Sequence, residues 1–432
     1  MHRFFALFSL GSLLLVSSGE ARAGLRGGEK AILNEDEIPE LEEKRAALRA
    51  ELAQLAHFTL RTGAVGTSGY RSFPQDSPDP QGEWLRIDFS EEVTMDEIVL
   101  VPTLWRHDDE AGYLADGFPP AFRLVAGGGN LDQGQVLAEF TEPGSYLPRV
   151  APLIVPLPGV RATWLRIEPL RLSRRQRDQK YIFQLSEVMV FEGERNVALH
   201  QKVSSATAVP LNSGIWKPDR IVDGSTPYLM DAALGGEKSD YYQYLSERNF
   251  LTLDLGEEYP VSSLHLHAAY QSKSAPPEFN VNRGIPRLLL IEGARQPDFS
   301  DAFTLLSHEF RGLTEFAPIL MWNFPPTSCR YLRISGPPPA ASPPQSPDFP
   351  ETDKIGFAEI EVIAEDVNVA LGKGPVGDFS EQLLQAGWSK LTDGHNIHGH
   401  TLSIRTWMNQ LARRHEGETE LARLNARLAP LY

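Results

Sequence analysis

The 432-residue chain has a single cysteine, Cys329, so no intramolecular disulfide can form and its stability has to come from packing. Cys329 precedes an apolar strand pattern and reads as a small core residue. Long apolar runs are missing apart from one at the N-terminus, so no other segment is expected to span a bilayer. Positive charge is short as well: 41 Lys and Arg stand against 57 Asp and Glu, a net charge of −16. That balance excludes duplex nucleic acid as an expected partner, because such binding rests on basic side chains neutralising phosphates. It also speaks against docking on anionic lipid by charge. The one basic stretch, Arg171 to Lys180, reads as a solvated loop. Catalytic signatures are missing too. There is no G-x-S-x-G elbow, no P-loop and no G-x-G-x-x-G after a strand. The group His395, His398 and His400 lacks the Glu that a zinc-protease helix places between its ligands.

What is present begins with the N-terminus. Arg3 supplies a positive charge, Phe4 to Val16 is an apolar run, and Ala21-Arg22-Ala23 has the A-x-A cleavage pattern. Residues 1–23 are expected to be a signal peptide, which places the rest of the chain in the secreted or periplasmic compartment.

The chain then repeats itself. Trp84 to Val93 (WLRIDFSEEV) matches Phe250 to Tyr259 (FLTLDLGEEY) at an offset of 166. Pro120 to Gly127 matches Pro286 to Gly293 at the same offset. Trp164-Leu-Arg-Ile167 matches Tyr331-Leu-Arg-Ile334 at 167, and Leu185 to Val190 matches Phe357 to Val362 at 172. Leu251, Leu253 and Leu255 alternate with Thr252 and Asp254, and Leu264, Leu266 and Ala268 alternate with His265 and His267. That is the period of a half-buried strand. Gly and Pro clusters punctuate the blocks, and no helix-period segment lies between them. The pattern therefore predicts antiparallel sandwiches rather than βαβ units. Asn-Val-Ala-Leu occurs at Asn196 and again at Asn368. Each is followed by a Trp and an Asp-Gly: Trp216 with Asp223-Gly224, and Trp388 with Asp393-Gly394.

The ordered series of Asn-Val-Ala-Leu, Asp-Gly, Leu-Asp-Leu-Gly, Tyr-Leu-Arg-Ile and Phe-Ala-Glu-Ile-Glu-Val resembles the discoidin, or coagulation factor 5/8 type C, family of galactose-binding-like domains. The resemblance covers roughly residues 57 to 365. It implies an all-β fold of tandem jelly-roll β-sandwiches, with binding loops at one end and no catalysis. On this reading residues 57–195 form the first sandwich and 196–365 the second. Residues 366–400 are then a truncated third module or linker. The whole arrangement also resembles the extracytoplasmic region of bacterial sensor histidine kinases.

Helices flank the sandwiches. Residues 34–56 predict an amphipathic helix, capped at Asn34, with Ile38, Leu41, Leu48, Leu52 and Leu55 near one face. It is expected to pack on the first sandwich or to serve self-association. Residues 401–432 predict a connector helix in which Trp407 and Met408 cap the preceding sandwich.

Sugar sites stack an aromatic face on the ring and hydrogen-bond its hydroxyls. The candidate ligand-binding residues are Trp105, His107 and Tyr113 in the first module. In the second they are Tyr228, Tyr241, Tyr242, Tyr270, Asn282 and Arg283. The resemblance further implies a structural Ca²⁺ held by Asp223, Thr226 and Glu359, since that ion takes carboxylate and hydroxyl oxygens. Glu187 and Glu359 occupy equivalent repeat positions, which marks them as structural rather than catalytic. The expected function is non-catalytic recognition of a glycan or cell-surface ligand. The alternatives are the carbohydrate-binding portion of a polysaccharide-degrading enzyme, and a hydrolase whose residues the sequence does not pair.

Overall fold

The computed structural model describes residues 37–60, 68–106, 113–128, 134–146, 150–175, 178–209, 216–231, 250–268, 285–286, 288–310, 317–336, 355–376 and 388–429. The expected signal peptide lies outside them. The chain is mostly β-sheet, with one helix near each end of the described region.

The first half contributes β1 (Leu85–Val101), β2 (Leu104–Arg106), β3 (Tyr113–Ala115), β4 (Ala121–Gly127), β5 (Gln135–Phe140), β6 (Leu153–Arg171), β7 (Glu187–Glu192), β8 (Arg195–Asn196) and β9 (Lys202–Ser205). The second contributes β10 (Phe250–Ala268), β11 (Leu288–Ala294), β12 (Phe303–Glu309), β13 (Ile319–Ser335), β14 (Phe357–Ala364), β15 (Val367–Asn368), β16 (His395–Asn396) and β17 (Gly399–His400). One sheet runs β5-β4-β6-β1-β7-β8, with β9 also on β1. The other runs β12-β11-β13-β10-β14-β15. The two orders correspond strand for strand.

The long strands bend where their sequence stops alternating. In β1, Leu85, Ile87 and Phe89 are buried between half-exposed Arg86 and Asp88, and then Ser90, Glu91 and Glu92 are all exposed. Three solvent-seeking residues in a row cannot keep one face inward, and the register with β6 slips between Asp88 and Val93. Both halves of β1 thereby feed one core, from Leu85 and Ile87 through Met95, Ile98 and Leu100. In β10 the same break falls at Gly256-Glu257-Glu258, between Asp254 and Tyr259. Its core takes Leu251, Leu253, Leu264 and Leu266 together with Ile291, Leu332, Ile334 and Val362.

The expected boundary at 195/196 is corrected by the strand pairing. β8 pairs with β7 and β9 pairs with β1, while Val197, Ala198, Ile221 and Val222 belong to the first core. The cause is local. The Asn196 side-chain oxygen accepts from the backbone N–H of Val190 (3.1 Å) and of Ala198 (3.2 Å), folding the chain back on the strand just completed. Asn368 does the same with Val362 and Ala370. Asn-Val-Ala-Leu is thus a return that closes the sandwich before it. Within the expected third-module start or linker at 366–400, the described residues Ala370 and Leu391 belong to the second core.

Helix α1 (Ile38–Leu52) and helix α2 (Ile404–Leu428) pack on each other. Leu41, Leu48 and Leu52 meet Leu424 and Leu428, so α1 rests chiefly on α2 rather than on the first sandwich. Gly417 permits the approach: a Cβ there would lie 2.8 Å from Leu52 Cδ2. Residue Glu37, not Asn34, precedes the first turn, and Asn34 lies outside the described residues. At the start of α2, Ser403 Oγ accepts from the Thr406 N–H (3.2 Å) as an N-cap. Its first turns wedge between the two sheets. Ile404, Trp407, Met408 and Leu411 contact Val99, Met189 and Phe191 of the first and Ile319 and Met321 of the second.

Candidate functional site

A concave surface lies between α2 and the first sheet. It encloses about 830 Å³, within the range of small-molecule sites. One wall comes from β3, β6 and the turn at 143–146: Leu114, Tyr146, Val150, Leu153 and Ile154. The opposite wall is the face of α2 that carries Asn409, Arg413, Glu416, Thr419 and Arg423. Positions 409, 413, 416 and 423 are spaced by 4, 3 and 7, which places them on one helical stripe.

The apolar wall is fixed by its own bonds. Tyr146 is buried, its hydroxyl donates to Pro120 O (2.6 Å), and burial pushes its pKa up to about 12. It stands edge-on to Phe122 and Phe140. On the helix wall Asn409 donates to Glu97 Oε1 (2.9 Å), which leaves its amide oxygen as an acceptor. Arg413 makes a two-pronged pair with Glu51 of α1 (2.6 and 2.7 Å), whose carboxylate raises the Arg413 pKa. Arg423 and Glu416 are exposed at the mouth. The groove therefore offers an apolar floor and a row of charged donors and acceptors, the combination that suits a polyhydroxylated ring.

The sequence-predicted residues fall around this groove only in part. Trp105 and Tyr113 sit on the β2–β3 hairpin, where Trp105 is paired with Leu114, a groove residue. Tyr113 is half-buried against the cluster between the sheets. Tyr228 is not a rim residue: it is 1% exposed, its hydroxyl donates to Val150 O (2.6 Å), and its ring meets Trp407 edge-on. The apolar residues from both sheets and α2 that close over it leave no face for a ligand. His107, Tyr241, Tyr242, Tyr270, Asn282 and Arg283 lie outside the described residues. Asn409, Arg413 and Arg423 were not foreseen, although their helical spacing beside the leucine stripe is a readable signal.

The proposed Ca²⁺ ligands do not come together. Asp223 and Thr226 close the first sandwich, where Gly224 N–H donates to Glu187 Oε1 (2.9 Å). Glu359 instead takes the Gly394 N–H of the second (3.0 Å). Each Asp-Gly loop thus pairs with the sandwich that precedes it, for the reason given for Asn196. Both glycines have φ of +80°, a left-handed turn that aims the N–H at the carboxylate. Asp223 already has a cationic partner in Arg220 (3.1 Å), and the Thr226 hydroxyl donates to Tyr228 O (3.2 Å). These residues do not fit the ion. Among the described residues no group of three or more His, Cys, Asp or Glu is placed to hold a metal. His395 and His400 face each other across the β16–β17 hairpin with ring centroids 5.3 Å apart.

No protein-family model and no curated relative matches the sequence. Solved structures similar to the chain include a glycoside hydrolase 29 family member from an unknown rumen bacterium. It is 16% identical, with 74% of this chain and 45% of that one covered and a TM-score of 0.21. The CBM32-1 and CBM32-2 domains of Clostridium perfringens ZmpB in complex with GalNAc are 10% identical, with 74% and 93% covered and a TM-score of 0.21. A fucolectin from striped bass (Morone saxatilis) serum is 14% identical, with 69% and 83% covered and a TM-score of 0.18. The chain spans less than half the length of that hydrolase. At such identities and scores, what the chain does has to be read from its own geometry.

Proposed function

We propose that the chain is an extracytoplasmic glycan-binding protein, built from tandem discoidin-like modules, that holds its ligand between α2 and the first sheet. The observation that carries this reading is the two-sided groove of about 830 Å³. Its floor can take the apolar face of a sugar ring, and Arg423, Glu416 and the Asn409 amide oxygen can take the hydroxyls. Export is supported by the A-x-A leader, and no described helix is long and apolar enough to cross a membrane.

A glycan array probed with the intact chain tests the reading. At least one glycan class should be retained. Arg423→Ala should weaken that binding about 10-fold or more, the worth of one charge-assisted hydrogen bond. Since Arg423 is exposed, the melting midpoint should stay put. An array without signal, or binding indifferent to both Arg423→Ala and Glu416→Ala, would count against the groove.

A further inference from the structure

A second cavity, of about 160 Å³, lies where the two sandwiches meet, and its walls carry a different chemistry. On the outer face of the second sheet, Ser263 of β10 stands opposite Asn323 of β13, and His265 stands opposite Glu361 of β14. All four line the cavity, with Phe191 and Ile404 across from them. Ser263 Oγ is 3.3 Å from His265 Nε2, and His265 Nδ1 is 3.2 Å from Glu361 Oε2. The same carboxylate oxygen is 2.9 Å from Nε2 of fully buried His267, whose Nδ1 accepts from the Asn396 amide (3.3 Å). Asn396 therefore fixes the His267 tautomer, leaving Nε2–H to hold Glu361 from the far side. Burial alone would raise the Glu361 pKa. The hydrogen bonds from His265 and His267 outweigh it and keep the carboxylate ionised well below the usual range.

The first sandwich has no such cluster at the same framework positions. Glu97, Val99 and Val101 stand where β10 has Ser263, His265 and His267. Met189 stands for Glu361, and Pro156 for Asn323. Val99, Val101 and Met189 are buried apolar residues there. At the positions of His265, His267 and Glu361 the architecture is thus satisfied by apolar side chains, and the imidazoles and carboxylate of the second sheet answer to something else.

We propose that Ser263, His265 and Glu361 form a hydrolytic site for short-chain acyl esters, distinct from the glycan groove and going beyond the binding reading. Ser263 Oγ attacks the acyl carbon while its proton passes to His265 Nε2. The hydroxyl proton, which in the resting state also reaches Trp322 O (3.0 Å), turns to Nε2 for this step. Glu361 receives the Nδ1–H and stabilises the imidazolium. Asn323 spends one amide N–H on Asn196 O (2.6 Å) and has a second for the developing oxyanion. The ester C–O bond breaks and the leaving alcohol takes the proton from Nε2. Water then gives a proton to Nε2 and attacks the acyl-serine, the acyl C–Oγ bond breaks, and Oγ recovers the proton. The balance is ester plus water to acid plus alcohol, with no cofactor or redox change. A space of 160 Å³ holds about five waters, which limits the acyl group to a few carbons.

The test is labelling of the intact chain with a fluorophosphonate probe, site mapping by mass spectrometry, and hydrolysis of p-nitrophenyl acetate against pH. The expected result is one adduct, on Ser263, absent in Ser263→Ala and at least 100-fold slower to form in His265→Ala. Glu361→Gln should lower turnover and displace the pH profile of what remains, which a merely structural role would not do. Because Ser263→Ala removes a buried hydrogen bond, Ser263→Cys provides a second reading. Its thiol should be alkylated by iodoacetamide faster than Cys329, with a rate that falls in the His265→Ala background. An adduct elsewhere, no adduct on the folded chain, or labelling indifferent to His265 would overturn the proposal.

Discussion

Glu187 and Glu359 show how one buried carboxyl can make stability depend on pH. Both are fully buried, both use one oxygen to accept a glycine N–H, and the second oxygen of each has no partner. Burial raises the Glu187 pKa well above the ordinary carboxylate range. It lifts Glu359 to about 9, helped by neighbouring Glu361 and Asp393. Such a group binds its proton more tightly folded than unfolded. Its contribution is therefore fully present below the unfolded pKa and is lost as pH rises toward the folded one. Within that window each carboxyl can cost up to about 1.4 kcal/mol per pH unit. Glu361 has the opposite sign, since its depressed pKa means that only acidification below the carboxylate range removes its contribution. The melting midpoint should accordingly fall between pH 5 and pH 8.5. Glu359→Gln, whose amide oxygen can still accept from Gly394, should flatten that fall and melt higher at pH 8.5. Thermal unfolding of both proteins at the two pH values checks this, and parallel curves would refute it. The equivalence of these two acids was legible in the sequence, and their pairing with glycines marks them as structural. Their partners were not legible, because an Asp-Gly turn carries no mark of which neighbouring sandwich it closes.

At the scale of elements, the end of α1 depends on a residue 362 positions after Leu52. Arg414 of α2 is buried and donates to the Ala56 (2.5 Å), Leu52 (2.6 Å) and Leu55 (2.8 Å) carbonyls, at and just beyond the end of α1 where helical partners run out. Glu418 balances its charge at 3.2 Å. Arg414→Met would keep much of the packing volume but remove the Arg414 bonds to the Leu55 and Ala56 carbonyls, and leave Leu52 O only its 3.3 Å bond from the Leu55 N–H. A loss of about 2–4 kcal/mol is expected by denaturant unfolding, with protease cuts appearing first around residues 37–56. An unchanged midpoint would show that the clamp contributes nothing. Both helices were readable from leucine spacing, as were the strands that alternate, such as Leu251–Leu255. The clamp was not, because an Arg on a helix reads as solvated until its partner helix is known. His265 and His267 were misleading in the same way. Alternation with Leu264 and Leu266 marks them as the wet side of a strand, whereas the first sandwich and α2 cover that side.

For the whole molecule, the decisive surface is the one no repeat announces. Each sandwich has its own core, and the two are joined by the outer faces of β1, β7 and β13 with the first turns of α2 between them. Stretches far apart in sequence meet there, from Ala56 through β1, β7, Tyr228 and β13 to the start of α2, with apolar residues at positions a lone sandwich would leave wet. Composition and period alone could not foresee it. Trp407 is central: it is 3% exposed, stands edge-on to Tyr228 at 6.4 Å, and its indole N–H has no partner. Its worth is therefore packing, and Trp407→Ala should cost about 3–5 kcal/mol through the cavity it leaves. That loss falls on the junction rather than on either core. Calorimetry of the intact chain should show one transition, because neither sandwich can unfold without exposing the shared apolar face of the other. In Trp407→Ala the coupling drops below the difference between the two cores, and the trace should split into two transitions. If the intact chain already melts in two steps, or the variant still melts in one at a lower temperature, the sandwiches are not coupled through this wedge. The fluorophosphonate test supplies an independent reading of the same junction, since the Ser263 cavity is walled by Phe191 and Ile404 from across it. A variant whose sandwiches separate should lose Ser263 labelling while both cores stay folded.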